Sequence, residues 1–209
     1  MNNTDETIKA LRSNGFHVWF AKNKAEAEKI FWEEIFYVAN PKVVSWGDSL
    51  TLHSLKILSK FKELEGVKLI ETFGEDLTWR EQIYNRKKAL SCDMFLTGTN
   101  AVTIKGQLVN VDMIGNRVAG IAFGPRNVII FVGVNKVVEN LDEAMDRIKS
   151  IAAPMNAIRH TDLKTPCQVT RKCMDCSSPQ RLCNTWTITE KSYPVGRIKI
   201  ILINEALGY

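Results

Sequence analysis

Residues 42–63 read "KVVSWGDSLTLHSLKILSKFKE". Lys42–Gly47 has the β-branched, apolar character of a short strand, and Gly47 ends it. Asp48 or Ser49 can cap a helix by accepting from free N–H groups of its first turn, and the apolar residues that follow recur at helical spacing. A strand thus runs directly into a helix, with only Gly-Asp-Ser between them. The fold class depends on whether that unit repeats.

It does, in both directions. Upstream, "TDETIKALRSNG" reads as a helix capped by Thr4 and ended by Gly15, followed by a strand at Phe16–Ala21. "NKAEAEKIFWEEIFYVA" is a second helix, closed by Pro41. Downstream come a strand "VKLIET", a helix "LTWREQIYNRKKALSC", and a strand "DMFLTGTN". The apolar strand "RNVIIFVGV" is followed by the helical "NLDEAMDRIKSIAAPMNAIRH", and two final strands lie in "TWTITEKS" and "RIKIILINEALGY". No repeat or low-complexity linker divides the chain, so residues 1–209 are expected to form a single α/β domain: a mostly parallel sheet flanked by helices. Such sheets place ligands at the carboxyl ends of their strands. Here those junctions fall at Gly47, at Gly98 and after Val134.

Composition narrows the function. With 45% apolar and 24% charged residues the chain is an ordinary globular sequence. Its net charge of +5 is spread out, with no run of five Lys/Arg, so no nucleic-acid groove is indicated. No apolar run reaches the length of a membrane span, and "MNNTDET" lacks the basic start of a secretory signal, so a cytoplasmic protein is expected. No Ser/His/Asp order, His-x-x-x-His spacing or Gly-x-Gly-x-x-Gly fingerprint is present.

Residues 97–118, "TGTNAVTIKGQLVNVDMIGNRV", follow an apolar strand and concentrate glycines with short polar side chains. "TIKGQLVNV" alternates about a Lys-Gly turn, which is a hairpin signal, and "GNRVAGIA" can open a helix whose N-terminus attracts an anion. Polar residues satisfying their own turns would look the same.

The block "TGTNAVTIKGQLVNVDMIGNRVAGIAFGPRNVIIFVGVNKVV" resembles the core of the LUD (lactate utilisation) domain family. The likeness extends through "NLDEAMDRIKSIAAPMNA" and "TPCQVTRKCMDCSSPQRLCN" to "ILINEALGY", and "VVSWGDSLTL" resembles the family's strand-Gly-x-Ser-helix junction. It implies a fold like the NagB/ribose-5-phosphate isomerase/CoA-transferase superfamily. It also implies a pocket for a small carboxylate or phosphorylated ligand, built from Gly47, Ser49, Gly98, Thr99, Asn100, Asn110, Gly115, Asn116 and Arg117. By analogy with related isomerases and transferases, Asp112 is the candidate base or nucleophile, and Arg117 could clamp a substrate carboxylate. Organic-acid (lactate-type) oxidation beside iron–sulfur partner subunits is the function so implied. A stand-alone isomerase or acyl/CoA transferase using Asp112, and a zinc-stapled scaffold, are the rival readings.

Four of the five cysteines, Cys167, Cys173, Cys176 and Cys183, fall in the segment 161–184, spaced C-x5-C-x2-C-x6-C. The Cys173/Cys176 pair has the spacing by which two thiolates face one ion, and a reducing cytosol disfavours disulfides. A metal site is therefore expected, either a [4Fe–4S] cluster or zinc, with disulfides and free thiols as alternatives. Lys164, Arg171, Lys172 and Arg181 could offset thiolate charge. Pro166 and Pro179 argue against a helix here. The segment is expected to be a loop outside the ligand junctions, and Cys92 a buried core thiol.

Overall fold

The computed structural model describes residues 3–74 and 76–209. Ten helices and ten strands occur among them: α1 (Asn3–Ser13), β1 (His17–Ala21), α2 (Lys24–Ile30), α3 (Tyr37–Ala39), β2 (Val43–Trp46), α4 (Leu50–His53), α5 (Ile57–Lys60), β3 (Lys68–Ile70), α6 (Trp79–Ala89), β4 (Met94–Gly98), β5 (Ala101–Thr103), β6 (Leu108–Asp112), α7 (Asn116–Phe123), β7 (Asn127–Gly133), β8 (Val137–Val138), α8 (Leu141–Arg147), α9 (Ala153–Arg159), α10 (Pro166–Thr170), β9 (Thr185–Thr189) and β10 (Ile198–Ile203). Wide π-helical turns at Phe31–Phe36 and Ile148–Ala152 join α2 to α3 and α8 to α9, and a 3-10 turn at Val134–Lys136 follows β7.

Six strands form one sheet in the order β1-β10-β7-β4-β2-β3, every neighbouring pair parallel. The run Val128–Val132 shows why the central strands read as continuously apolar. Val128, Ile130 and Val132 pack on the face carrying α1, α6 and α7, while Ile129 and Phe131 pack on the face carrying α2–α5. A strand buried on both sides has no polar face to show. No helix among the described residues is long and apolar enough to cross a membrane.

Four shorter strands make a second, mixed sheet, β8-β5-β6-β9. The hairpin expected about Lys105–Gly106 is its centre, with β5 antiparallel to β6. Alternation predicts strands but not their partners. "TWTIT" therefore joins not the main sheet but β6, pairing Thr185 with Asp112 and Thr189 with Leu108.

Three local expectations change. Thr4 lies within the first turn of α1 and not at its cap. The helix expected from Asp48 onward is two short ones, α4 and α5. Ser54 Oγ donates to the Thr51 carbonyl at 2.7 Å and Ser59 Oγ to that of Lys56 at 3.1 Å, while the Lys56 N–H leaves the helix for Glu28 Oε1 at 3.0 Å. Serine hydroxyls that bond the local backbone weaken a helix interior. The cysteine segment does hold a helix, α10, because Pro166 occupies its first position, where a missing N–H costs nothing.

Gly106 ties the small sheet to the large one. It sits at φ +76°, and a Cβ there would lie 2.6 Å from the Leu11 nitrogen in α1. Gly66, at φ +77°, has nothing within 4 Å. Gly66→Ala should cost only the left-handed strain, about 1–2 kcal/mol. Gly106→Ala should add backbone overpacking and cost about 2–5 kcal/mol. Urea unfolding midpoints of the two variants check this; equal losses would mean the approach to α1 is not tight.

Candidate functional site

The loops leaving β2 and β4 part at adjacent strands. The chain leaving β2 enters α4 on one face of the sheet, and the chain leaving β4 reaches α7 on the other. A divergence of this kind opens a crevice at the strand ends. The crevice here is a cleft of about 280 Å³. Of the ten residues expected at the pocket, Ser49, Gly98, Thr99, Asn100, Asp112, Asn116 and Arg117 line it. Gly47, Asn110 and Gly115 stand behind that wall. Gly47 leaves room for the Arg117 side chain, since a Cβ there would lie 2.9 Å from Arg117 Cγ. Gly115 is the N-cap of α7.

Ser49 caps α4, accepting from the Leu52 N–H. Asp112 and Arg117, the proposed base and carboxylate clamp, are bound to each other. Arg117 Nε donates to Asp112 Oδ1 at 3.0 Å, and the N–H groups of Arg117 and Val118 donate to Asp112 Oδ2 at 2.9 and 3.1 Å. Asp112 therefore caps α7 in place of the side chain that Gly115 lacks. The remaining donors of Arg117 are also taken: Nη1 by the Gly98 carbonyl (3.0 Å) and Asn110 Oδ1 (2.6 Å), Nη2 by Asn100 Oδ1 (2.7 Å) and the Val111 carbonyl (2.9 Å). All five N–H donors of the guanidinium have protein acceptors.

The cleft's other charged groups were not foreseen by residue. Lys136 is 4% exposed. Its Nζ donates to Thr51 Oγ1 at 2.9 Å and to the Thr99 carbonyl at 3.3 Å, and among the described residues no carboxylate pairs with it. Burial, then the charges of Arg147 and Arg117, push its pKa down to about 7. The signal was available: "GVNKVV" puts a lysine three residues beyond an apolar strand, at a junction already marked. Asp48 holds Arg159 by an ion pair and His53 at 2.9 Å. Burial alone would raise the Asp48 pKa, but the hydrogen bonds from His53 and Arg159 outweigh it and keep the carboxyl well below the usual range. Arg159 Nε is buried without a partner among the described residues.

The C-terminal tail closes one side. Thr51 Oγ1 donates to the Leu207 carbonyl at 3.0 Å, Asn135 Oδ1 accepts from the Leu207 N–H at 3.1 Å, and Tyr209 lines the cleft.

The cysteine segment is a wall of the cleft and not a loop apart from it: Asp162, Leu163 and Leu182 line the space. Arg181 braces the segment, donating from Nε to the Cys183 carbonyl at 3.1 Å and from Nη1 to the Cys176 carbonyl at 2.5 Å. Cys173 and Cys176 lie near enough to Cys183 to add to the rise that burial causes in its pKa. Cys167 stands apart on α10, its Sγ 3.3 Å from Thr165 Oγ1. All four thiols are free, and among the described residues no three His, Cys, Asp or Glu side chains gather as a metal ion needs. The thiols as placed do not fit a four-cysteine site. Cys92 is buried, and burial raises its pKa to about 12.

A crystal structure of a DUF162 family protein from Deinococcus radiodurans shares this fold, with a TM-score of 0.53 and 12% identity over 97% of this chain and 96% of that one. No curated protein matches the chain. Residues 4–203 match the LUD domain family. A match over nearly the whole length, on a scaffold that carries the strand-Gly-x-Ser-helix junction and the Thr97–Val118 hairpin at one cleft, places the chain in a family: it belongs to the LUD domain proteins.

Proposed function

We propose that the cleft binds a small organic anion, a carboxylate or phosphorylated acid, in organic-acid (lactate-type) utilisation. The observation that carries this reading is Lys136. A buried ammonium with two further cations nearby and no acid partner among the described residues is electrostatically incomplete, and an anionic ligand would complete it. Arg159 supplies a second donor through its unpartnered Nε. The family's association with lactate utilisation points the same way. The redox step is assigned to iron–sulfur partner subunits, as the family resemblance implies, and no step is routed through this chain's cysteines.

Within this reading Asp112 and Arg117 build the site and do not act in it. A transferase or isomerase reading would need the Asp112 carboxylate free, whereas both its oxygens are engaged by Arg117 and by the first turn of α7.

The pH dependence has a definite sign. Lys136 is an ammonium below about 7 and loses its proton above it. An anion binds the charged form, so affinity should be flat below that value and fall about tenfold per pH unit above it, until the pKa of the complex is reached. Calorimetric titration with lactate, pyruvate and a sugar phosphate at pH 6 and pH 9 checks this; an affinity independent of pH would remove Lys136 from the binding step. The same depressed pKa means that, between about 7 and the unfolded value near 10.5, the unfolded chain holds the extra proton and stability rises with pH. Lys136→Met should therefore raise Tm, by more at pH 6 than at pH 9.5, while weakening ligand binding at least about tenfold.

Asp112→Asn strands the Arg117 charge and should cost about 3–5 kcal/mol of stability. In a double-mutant cycle with Arg117→Met, the pair should cost well under the sum of the two single changes. Additive losses would show that the two side chains do not depend on each other, and would reopen a separate role for Asp112.

A further inference from the structure

We infer that Lys136 is a covalent site: its Nζ condenses with the carbonyl of a 2-oxo acid bound in the cleft, forming an imine. The inference rests on the anion-binding reading and names the substrate class that reading leaves open.

Three observations carry it. First, Nζ is held between Thr51 Oγ1 at 2.9 Å and the Thr99 carbonyl at 3.3 Å. An ammonium has three N–H groups, and these contacts use two of them. Second, Nζ is buried, and the charged groups that act on it are the cations Arg147 from α8 and Arg117 from α7, with no carboxylate paired to it among the described residues. A lysine in that setting gives up its proton near neutrality. At pH 7 its neutral fraction exceeds that of a surface lysine, with pKa about 10.4, by about a thousandfold. Third, the cleft is small and pairs the amine with a second anion contact. Arg159, whose buried Nε lacks a partner among the described residues, lines the same space. A molecule bearing a carboxylate beside a carbonyl brings an acceptor for Arg159 and an electrophile for Nζ into that one space. A 2-hydroxy acid satisfies only the charge.

The step balances without an external oxidant or reductant. The neutral Nζ donates its lone pair to the carbonyl carbon, and the carbonyl oxygen becomes a hydroxyl as Nζ loses a proton. The resulting carbinolamine then gives its remaining Nζ proton to the departing hydroxyl, which leaves as water as the C=N bond forms. The Thr51 hydroxyl, which accepts from Nζ at 2.9 Å and donates to the Leu207 carbonyl at 3.0 Å, fixes the nitrogen for the attack.

The test is reductive trapping. The full-length protein is incubated with pyruvate, then with borohydride, whose hydride converts the imine to a stable secondary amine, and peptides are read by mass spectrometry. A pyruvate-dependent adduct at Lys136 is expected. Saturating lactate should suppress it, and its rate should rise between pH 6 and pH 8, opposite in sign to the affinity for lactate. Lys136→Arg cannot form the imine, so it should lose the adduct. Circular dichroism and Tm confirm that the variant is folded. If Lys136→Arg is unfolded, competition by lactate on the wild-type adduct still decides the question. Pyruvate binding by calorimetry with no adduct overturns the imine and leaves the anion cleft standing. Adducts spread over surface lysines, or retained in Lys136→Arg, overturn it as well. Failure of lactate, pyruvate and the sugar phosphate alike to bind overturns the cleft reading itself.

Discussion

The guanidinium of Arg117 is the interaction on which the cleft depends. Its five donors reach Gly98 at the end of β4, Asn100 just beyond it, and three consecutive residues of β6, Asn110, Val111 and Asp112, the last of which caps Arg117's own helix. Those partners belong to different layers. The strand end is part of the parallel sheet, and the hairpin is part of the mixed sheet. A cation that is 8% exposed is tolerated only when each donor is used and its charge is matched, and Asp112 matches it. Asn100, gripped on its side chain by Arg117 and on its carbonyl by Arg147 at 2.7 Å, is thereby fixed between two cations. The two arginines that shape the wall are the same two whose charge depresses the pKa of Lys136. Architecture and chemistry share one cause.

This arrangement explains which features were legible in the sequence. The parallel sheet was, because period-2 burial on both faces writes itself as runs such as "VIIFVGV". The Ser49 cap and the Lys105–Gly106 turn were legible because capping and turn chemistry act within four residues. The partner of β9 was not. Its register with β6 joins residues more than seventy positions apart, and no local period records that. The break between α4 and α5 was hidden because serines within a helical pattern do not disclose which carbonyl they will bond.

The site was legible by position and less so by role. The Gly47, Gly98 and post-Val134 junctions do converge, since parallel strands bring all their carboxyl ends to one edge. Sequence could not show that Arg117 spends every donor on the protein, because saturation is a property of three-dimensional neighbours. Nor could it show that Lys136 lacks an acid partner. An arginine near an aspartate looks like a ligand clamp, and a lysine just before a valine pair looks like a solvated surface charge. Burial reverses both appearances.

The reversal has a thermodynamic reading. Arg117 is buried and compensated, so the cost of burying its charge is offset by its partners. Lys136 is buried and uncompensated, so at neutral pH it destabilises the fold, and the surrounding structure must hold it in place. Thr51 does this from α4, and the tail does it through Leu207, whose carbonyl receives the Thr51 hydroxyl while its N–H is held by Asn135, the residue next to Lys136. The chain's last residues and the first turn after β2 thus brace one amine from opposite ends of the sequence. A position that costs stability and is still held by several contacts is better explained by what it binds than by what it packs against. In this fold the compensated cation builds the wall, and the uncompensated one faces the cleft.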